Sequence, residues 1–141
     1  MPEKLSLSSE KQLKIYPYDV DYMAIVHNVV YIRWLEEMRT DMMEGVYSMA
    51  ESIEAGVTPV INKLQAEYHL PLRISTKATA KIRIKEMTKL KWIIAFEVSS
   101  EAGLHFSAEQ LGYFYNIKLN KPSRVPKHIY DLYIEVKKSS D

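Results

Sequence analysis

The stretch YPYDVDYMAIVHNVVYIRWLEEMR, residues 16–39, joins a loop with two aspartates to the most helix-like segment of the chain. This order places the carboxylate of Asp21 a few residues ahead of a helix N-terminus. The first backbone N–H groups of a helix have no partner inside the helix, and the aligned peptide dipoles add roughly +0.5 of a charge there. A carboxylate beside such a pocket can attack a polarised carbonyl or activate water on it. The stretch therefore predicts acyl chemistry.

The helix itself is predicted from the spacing of apolar side chains after the loop. Between Val29 and Glu44 apolar residues recur at helical intervals. They are Tyr31, Trp34, Leu35, Met38 and Met42. Asn28 is a residue type favoured at the N-cap, and Gly45 is a common helix stop. We therefore predict a helix of about four turns that starts beside the aspartate loop.

Composition limits the class of protein. The chain has 141 residues, 47% hydrophobic and 26% charged, which is enough to bury a core. A net charge of +1 argues against a nucleic-acid partner, and the lack of cysteine excludes disulfides and a cysteine nucleophile. No signal peptide and no run of roughly 18 apolar residues for a membrane span are present. We expect one domain, residues 1–141, of a cytoplasmic protein that binds neither nucleic acid nor membrane. Its ends, residues 1–9 and 137–141, are expected to be flexible.

Five further segments are predicted to be strands. They are Glu10–Tyr16, Val60–Tyr68, Lys77–Lys85, Leu90–Val98 and Ser107–Leu119. One strand, one long helix and then four strands with short polar connections predict an α+β fold. The apolar stripe of a single helix cannot hide it, so the antiparallel sheet is expected to wrap around it. Dimerisation would cover the open edges of such a sheet.

Two other segments are predicted to be helical or turn-like. Residues 46–56 are ambiguous in sequence and are compatible with a short second helix that ends at Gly56. A turn is expected over 121–125, and Pro126 favours the start of a terminal helix that runs to about Val136.

The aspartate loop and helix together resemble a known family. Asp19-Val-Asp21, Ile25-Val26-His27-Asn28, Tyr31, and Glu36-Glu37-Met38-Arg39 resemble the hotdog-fold acyl-CoA thioesterases of the 4-hydroxybenzoyl-CoA thioesterase type. Their pattern is roughly D-x-D-x-x-G-x-V-x-x-x-x-Y-x-x-x-x-E-x-x-R, and the spacing is kept without gaps. Downstream, Tyr68, Pro71 and Leu72 match a typical Y-x-x-P-[LA] stretch.

This resemblance implies a hotdog fold, an antiparallel sheet around one long central helix, in a homodimer or homotetramer with active sites at the dimer interface. It implies no metal and no cofactor beyond the coenzyme A of the substrate. Asp21 would be the nucleophile or general base, and the backbone N–H near Asn28 would hold the thioester oxygen, with His27 as a candidate partner of Asp21. The predicted substrate-binding residues are Tyr31, Ala24, Val26, Lys81 and Arg83.

Three departures from the family pattern bear on the site. Ala24 stands where the family usually has glycine, so a positive φ there would carry a cost. Asn28 replaces the commoner His or Tyr, and Val30 replaces a common Asn. None of them removes the carboxylate, so activity is expected and substrate shape is the property most affected.

Several residues keep two interpretations. Asp19 is expected to be a structural hydrogen-bonding partner, and Glu36 is the alternative general base. The basic row is Lys77, Lys81, Arg83 and Lys85, which suits coenzyme A phosphates and a solvated strand face equally. The methionines Met38, Met42 and Met43 fit core packing better than an acyl tunnel. The other histidines, His69, His105 and His128, share no metal-ligand spacing with His27.

The leading functional hypothesis is an acyl-CoA thioesterase that releases free acid and coenzyme A. Two alternatives stay open: a thioesterase that acts on acyl-carrier protein, and a non-catalytic protein that binds acyl thioesters. A hotdog dehydratase is weaker, because those enzymes place a paired His and acid differently.

Overall fold

The computed structural model describes residues 7–139 of the chain. In that range the elements follow the order strand, helix, helix, four strands, a short strand and a terminal helix. Their bounds are β1 Ser8–Gln12, α1 Asn28–Glu44, α2 Met49–Ala55, β2 Val57–Tyr68, β3 Thr79–Met87, β4 Lys91–Ser100, β5 Gly103–Asn116, β6 Lys121–Ser123 and α3 Lys127–Ser139. A single 3-10 turn, Pro17–Asp19, precedes the aspartate loop.

The strands form one antiparallel sheet whose inner face packs on α1. The strand order is β1-β3-β4-β5-β2, and β6 pairs with the end of β5. Apolar residues of the inner face and of α1 form one buried cluster, with Leu35, Val98 and Phe106 fully enclosed. The predicted α+β arrangement of a sheet around one long helix is confirmed.

Helix α1 starts one residue earlier than predicted. Its N-cap is His27, which has extended torsion angles (φ −63°, ψ 143°), so Asn28 is the first helical residue and the prediction of an Asn28 cap is wrong. Gly45 ends the helix as predicted. The buried positions of α1 are Val30, Tyr31, Trp34, Leu35, Met38 and Met42. Helical spacing thus identified the face that meets the sheet.

Regular secondary structure extends closer to the chain ends than predicted. Strand β1 covers Ser8–Gln12 instead of Glu10–Tyr16, because its partner β3 offers the register from Arg83 back to Thr79. Leu7 is buried against the core, and α3 continues to Ser139, past the predicted end at Val136. Residues 8–9 and 137–139 belong to these elements, and the flexibility expected of residues 1–9 and 137–141 stays a prediction. Residues 1–6 and 140–141 lie outside the described range.

The last long strand and the second helix also refine the predictions. β5 runs from Gly103 to Asn116, and residues 117–120 turn into β6, so the predicted strand end at Leu119 is wrong. Leu111, Tyr113 and Tyr115 are aligned on the outer face, while alternate residues from Phe106 to Phe114 face α1. The short helix α2 is present, and Gly56 ends it with a left-handed φ of 72°.

Candidate active site at the start of helix α1

The aspartate loop is a narrow turn held by its own backbone. Val20 bridges Val26, the N–H of Asp21 donates to the Ile25 carbonyl (3.0 Å), and the N–H of His27 donates to the Asp19 carbonyl (3.0 Å). These bonds bring the residues before Asp21 alongside those that open α1. We call residues 19–27 the Asp21 loop.

A second segment braces the Asp21 loop from outside. The N–H of Val26 donates to the Leu72 carbonyl (2.9 Å), and the N–H of Ile74 donates to the Ala24 carbonyl (3.1 Å). Leu72 is fully buried, so this brace is anchored in the core. The Tyr68, Pro71, Leu72 match in the sequence therefore lies on the chain that supports the loop.

Asp21 is half-buried, and one of its two carboxylate oxygens accepts hydrogen bonds from the described residues. Its Oδ1 accepts hydrogen bonds from the N–H groups of Met23 (2.8 Å) and Ile25 (3.2 Å). Its Oδ2 has no hydrogen-bond donor among the residues that the structure describes. One oxygen thus orients the group while the other stays available. This is the arrangement a nucleophile or general base needs.

Ala24 adopts the conformation that the usual glycine would take. Its φ is +61°, one of two positive values among the described non-glycine residues. A left-handed conformation costs an L-residue roughly 1–2 kcal/mol. The departure from the family pattern therefore keeps the shape of the loop at an energetic cost.

Asp19 has the structural role predicted for it. It is completely buried, and its Oδ2 accepts from the N–H of Tyr16 (2.9 Å) while its Oδ1 accepts from Nη2 of Arg33 (2.8 Å). The hydrogen bond to Asp19 raises the pKa of Arg33. With both oxygens engaged and no exposure, Asp19 fixes the loop to α1 and is not available for chemistry.

The start of α1 presents backbone donors next to the Asp21 loop. The N–H of Val30 donates to the His27 carbonyl (3.0 Å), whereas those of Asn28 and Val29 have no partner among the described residues. The Tyr68 hydroxyl donates to the Asn28 carbonyl (3.2 Å) and so holds this peptide group. His27 and Asn28 are both exposed, and the His27 side chain makes no capping bond. Their catalytic roles stay predictions.

Two of the predicted substrate-binding residues lie in the core of the protomer. Tyr31 is 3% exposed, and its ring stacks on Phe106 with centroids 4.7 Å apart. Burial, with a smaller contribution from Tyr68, raises the pKa of Tyr31 to about 12. Val26 is 4% exposed. Neither side chain is exposed at the surface of the described chain, and their roles in substrate binding stay predictions.

The other predicted substrate-binding pair, Lys81 and Arg83, lies on the outer face of the sheet. Both line a shallow depression of about 1170 Å³, none of whose lining residues belongs to the Asp21 loop. Across the strands Lys81 is in register with Glu10 and Glu97, so two acidic residues flank it on the outer face. The structure does not bring this pair together with Asp21, which favours the solvated-face interpretation.

The alternative base, Glu36, is part of a cluster of polar side chains that are hydrogen-bonded to one another. Both Nη atoms of Arg39 bond its carboxylate, and Gln110 donates to its Oε1 (2.8 Å). Arg39 also donates to Oε1 of Gln110 (2.8 Å), which is buried on the inner face of β5. We call Glu36, Arg39 and Gln110 the Glu36 clamp. It ties α1 to the sheet, and both oxygens of its carboxylate accept hydrogen bonds.

Sequence reasoning missed the partners that decide these roles. Arg33 meets Asp19 across 14 residues of sequence and Gln110 meets Glu36 across 74, so no local pattern marks either contact. The alternation of β5 could have placed Gln110 on the inner face. Met38 and Met42 are buried, in agreement with core packing. Among residues 7–139 no cluster of three metal-binding side chains exists, and none of the helices there is long and apolar enough to cross a membrane.

Comparison with known proteins identifies the family of the chain. The profile of the thioesterase-like superfamily matches residues 15–132. A presumed esterase of Synechocystis sp., sll0410, is 24% identical over 83 residues, which cover 58% of this chain and 50% of that protein. The chain thus spans about half the length of this curated relative.

Solved structures show the same fold at low identity. A DHNA-CoA thioesterase from Staphylococcus aureus superposes with a TM-score of 0.79 at 18% identity, covering 93% of this chain and 91% of that one. Slr0204, a 1,4-dihydroxy-2-naphthoyl-CoA thioesterase from Synechocystis, gives 0.80 at 13% identity over 92% and 98%. SAV2348 from S. aureus, solved in complex with CoA, gives 0.82 at 13% identity over 96% and 85%.

These likenesses confirm the hotdog fold predicted from the sequence. The profile match extends over both the Asp21 loop and the sheet that supports it. The chain therefore belongs to the thioesterase-like superfamily.

Proposed function

We propose that the protein hydrolyses an acyl-CoA thioester to free acid and coenzyme A. The observation that carries this proposal is the Asp21 carboxylate, oriented through Oδ1 and open at Oδ2 beside the first N–H groups of α1. Membership of the thioesterase-like superfamily supports it, as do the CoA thioesterases among proteins of the same fold.

In the proposed reaction Oδ2 of Asp21 either attacks the thioester carbon or removes a proton from an attacking water. The carbonyl oxygen gains negative charge as the new C–O bond forms. The N–H groups of Asn28 and Val29 stabilise that charge, a contribution typically worth about 10²–10³ in rate. Collapse of the intermediate breaks the C–S bond and expels the coenzyme A thiolate, which takes up a proton. On the nucleophilic route water then hydrolyses the anhydride between Asp21 and the acyl group, which releases the free acid and restores the carboxylate. These steps use a carboxylate, water and backbone donors, and the proposal includes no metal or redox cofactor.

We propose further that the working unit is a homodimer or homotetramer in which β2 is an interface strand. β2 is an edge of the sheet, and apolar side chains stand exposed along it and just after it: Ile61, Leu64, Tyr68 and Leu70. Tyr68 also contacts the start of α1, so a partner on this edge would lie beside the site. Sedimentation of the wild type and of Leu64→Lys tests this: a multimer that the variant weakens is expected, and a monomeric wild type would contradict it.

The test of the activity is thiol release from a panel of aliphatic and aromatic acyl-CoAs, with wild type beside Asp21→Asn. Turnover of at least one panel member, lost in the variant, is expected. Near-normal turnover by a folded Asp21→Asn would refute the mechanism.

The carrier is tested separately by competition between acyl-CoA and the same acyl group on acyl-carrier protein. If the protein prefers the substrate on acyl-carrier protein, that carrier replaces coenzyme A in the proposal. Tight binding of acyl-CoA without turnover would instead identify a non-catalytic acyl-thioester-binding protein.

A further inference from the structure

A stacked pair of tyrosines stands at the surface just ahead of the Asp21 loop. The rings of Tyr16 and Tyr18 are parallel within 5°, with centroids 5.1 Å apart. The Lys14 ammonium lies 5.0 Å from the centroid of the Tyr16 ring. Tyr18 is 71% exposed, so much of its ring faces solvent. We call Lys14, Tyr16 and Tyr18 the tyrosine stack.

The backbone holds this stack in place. The N–H of Tyr16 donates to Oδ2 of buried Asp19, and the N–H of Asp19 donates back to the Tyr16 carbonyl, both at 2.9 Å. Pro17 between the two tyrosines restricts φ in the same turn. The rings are therefore displayed by a tight, anchored turn, and a ligand would meet a platform that is already formed.

The charges around the stack suit an anionic group. In the part of the chain that the structure describes, no carboxylate lies within 4.0 Å of the Lys14 ammonium. The nearby guanidinium of Arg33 is already paired with Asp19 and Glu37. Lys14 is thus a cation beside the stack that has no ion pair among the described residues.

The distance to the candidate catalytic group is short. Tyr18 precedes Asp21 by three residues, so their Cα atoms are at most about 11 Å apart. A substrate whose reacting carbon sits at Asp21 must lead its carrier away over the neighbouring surface. The tyrosine stack lies within reach of such a carrier.

We propose that the tyrosine stack binds the nucleotide end of the carrier, with the adenine base on the exposed face of Tyr18 and a phosphate near Lys14. This inference rests on the proposed acyl-CoA hydrolysis and adds to it the place where coenzyme A is recognised. A planar base and a phosphate together match an aromatic face beside an unpaired cation. An acyl group carries no such anion, which favours the nucleotide as occupant.

The experiment compares kcat/KM for one acyl group on coenzyme A and on pantetheine, which lacks the nucleotide. The quantity of interest is kcat/KM for acyl-CoA divided by kcat/KM for acyl-pantetheine. Tyr18→Ala is expected to lower this ratio about five- to tenfold, mainly through a higher KM for acyl-CoA, since stacking of a base on an aromatic side chain is lost. Tyr18→Phe keeps the ring and should keep the ratio. Leu90→Ala is the control, because Leu90 is similarly exposed (64%) and lies in the connection between β3 and β4, outside both the Asp21 loop and the tyrosine stack.

The Lys14 part of the proposal has its own variant. Lys14→Gln is expected to lower the ratio about two- to fivefold and to reduce its dependence on salt, because one phosphate contact is removed. Lys14→Arg should retain most of the ratio. A ratio unchanged in both Lys14→Gln and Tyr18→Ala would overturn the proposal.

Two other outcomes separate this proposal from the proposed function. An equal fall for both carriers in Tyr18→Ala would place the acyl group on the stack and so overturn the nucleotide assignment. If wild type hydrolyses neither substrate, the proposed function fails, and calorimetric binding of coenzyme A against pantetheine still tests the stack. Tighter binding of coenzyme A that Tyr18→Ala removes would sustain the nucleotide site, whereas equal binding would overturn it.

Discussion

The Asp21 loop, which leads into helix α1, and the Glu36 clamp, which joins α1 to β5, each fix a carboxylate, but the two carboxylates differ in their hydrogen bonds. Asp21 receives two backbone hydrogen bonds on one oxygen and has its other oxygen open. Glu36 is bonded by both Nη atoms of Arg39 and by Gln110. The first group is oriented and available, whereas the second is neutralised by a cation and serves to fasten α1 to β5.

The comparison shows how hydrogen bonding separates the chemical role proposed for Asp21 from the structural role of Glu36. Asp19 makes the point within the loop itself. It stands two residues from Asp21, is completely buried and has both oxygens bonded. Variants of these three carboxylates, and of the residues around them, can break or sharpen the distinction.

The largest effect on stability is expected for Asp19→Asn. The change removes the buried negative charge that holds Arg33 and the Tyr16 N–H, and we expect a loss of about 2–4 kcal/mol in the free energy of unfolding. Urea denaturation measures it. Arg33→Lys is the milder companion variant, because it keeps the charge. Wild-type stability in Asp19→Asn would show that this carboxylate does not fasten the loop.

Tyr31 lies in the core at the start of α1, and we predict that its ionisation lowers the stability of the protein at alkaline pH. Its pKa is raised to about 12 in the folded protein, above the ordinary value of 10.0. Its contribution is therefore fully present below pH 10 and is lost as pH rises through about 12. We expect roughly 1–3 kcal/mol to disappear over that window. Denaturation at several pH values checks this, and Tyr31→Phe should show a smaller decline. Equal slopes in the two proteins would contradict the expectation.

Glu36→Gln tests the clamp with nearly unchanged shape. One member of a partly exposed ion pair is neutralised, so we expect a loss of about 1–2 kcal/mol in stability. Thermal and urea denaturation measure it, with Glu37→Gln on the solvent side of α1 as control. A stability loss no greater than that of the control would indicate that the clamp does not fasten α1 to the sheet.

The smallest effect is expected for Ala24→Gly. Glycine adopts a φ of +61° without the Cβ penalty, so we expect a gain of about 0.5–1 kcal/mol, reduced by the extra freedom of glycine in the unfolded chain. Ala50→Gly in the exposed first turn of α2 is the matched control and should destabilise. A loss of stability in Ala24→Gly would mean that the methyl group contributes packing that outweighs its strain.

Much of the fold could be predicted because its signals are local. Helical spacing identified α1 to within one residue, and two-residue alternation identified the inner faces of β3 and β4, where Ala80, Ile82, Phe96 and Val98 are buried. The N-cap was misplaced because cap preference is weak beside backbone geometry, which puts the extended residue at His27. β1 was shifted because its register depends on β3, about 70 residues further along the chain.

The site was predictable only in part. The order of the chain places Asp21 before α1 without any tertiary information, and the glycine position at Ala24 pointed to the positive φ that the structure has. The separation of Lys81 and Arg83 from the Asp21 loop depends on packing between distant elements. Which carboxylate is bonded and which is open depends likewise on the long-range contacts of Arg33 and Gln110.

The most direct measurement is kcat/KM for thiol release on an acyl-CoA panel with wild type, Asp21→Asn and Glu36→Gln side by side. We predict that Asp21→Asn loses about 10²–10⁴ of the activity while its melting temperature stays close to that of the wild type. Glu36→Gln should melt earlier but keep kcat/KM within about threefold, because its carboxylate is structural. The reverse result, an active Asp21→Asn and a folded but inactive Glu36→Gln, would contradict the assignment of the chemistry to the open carboxylate.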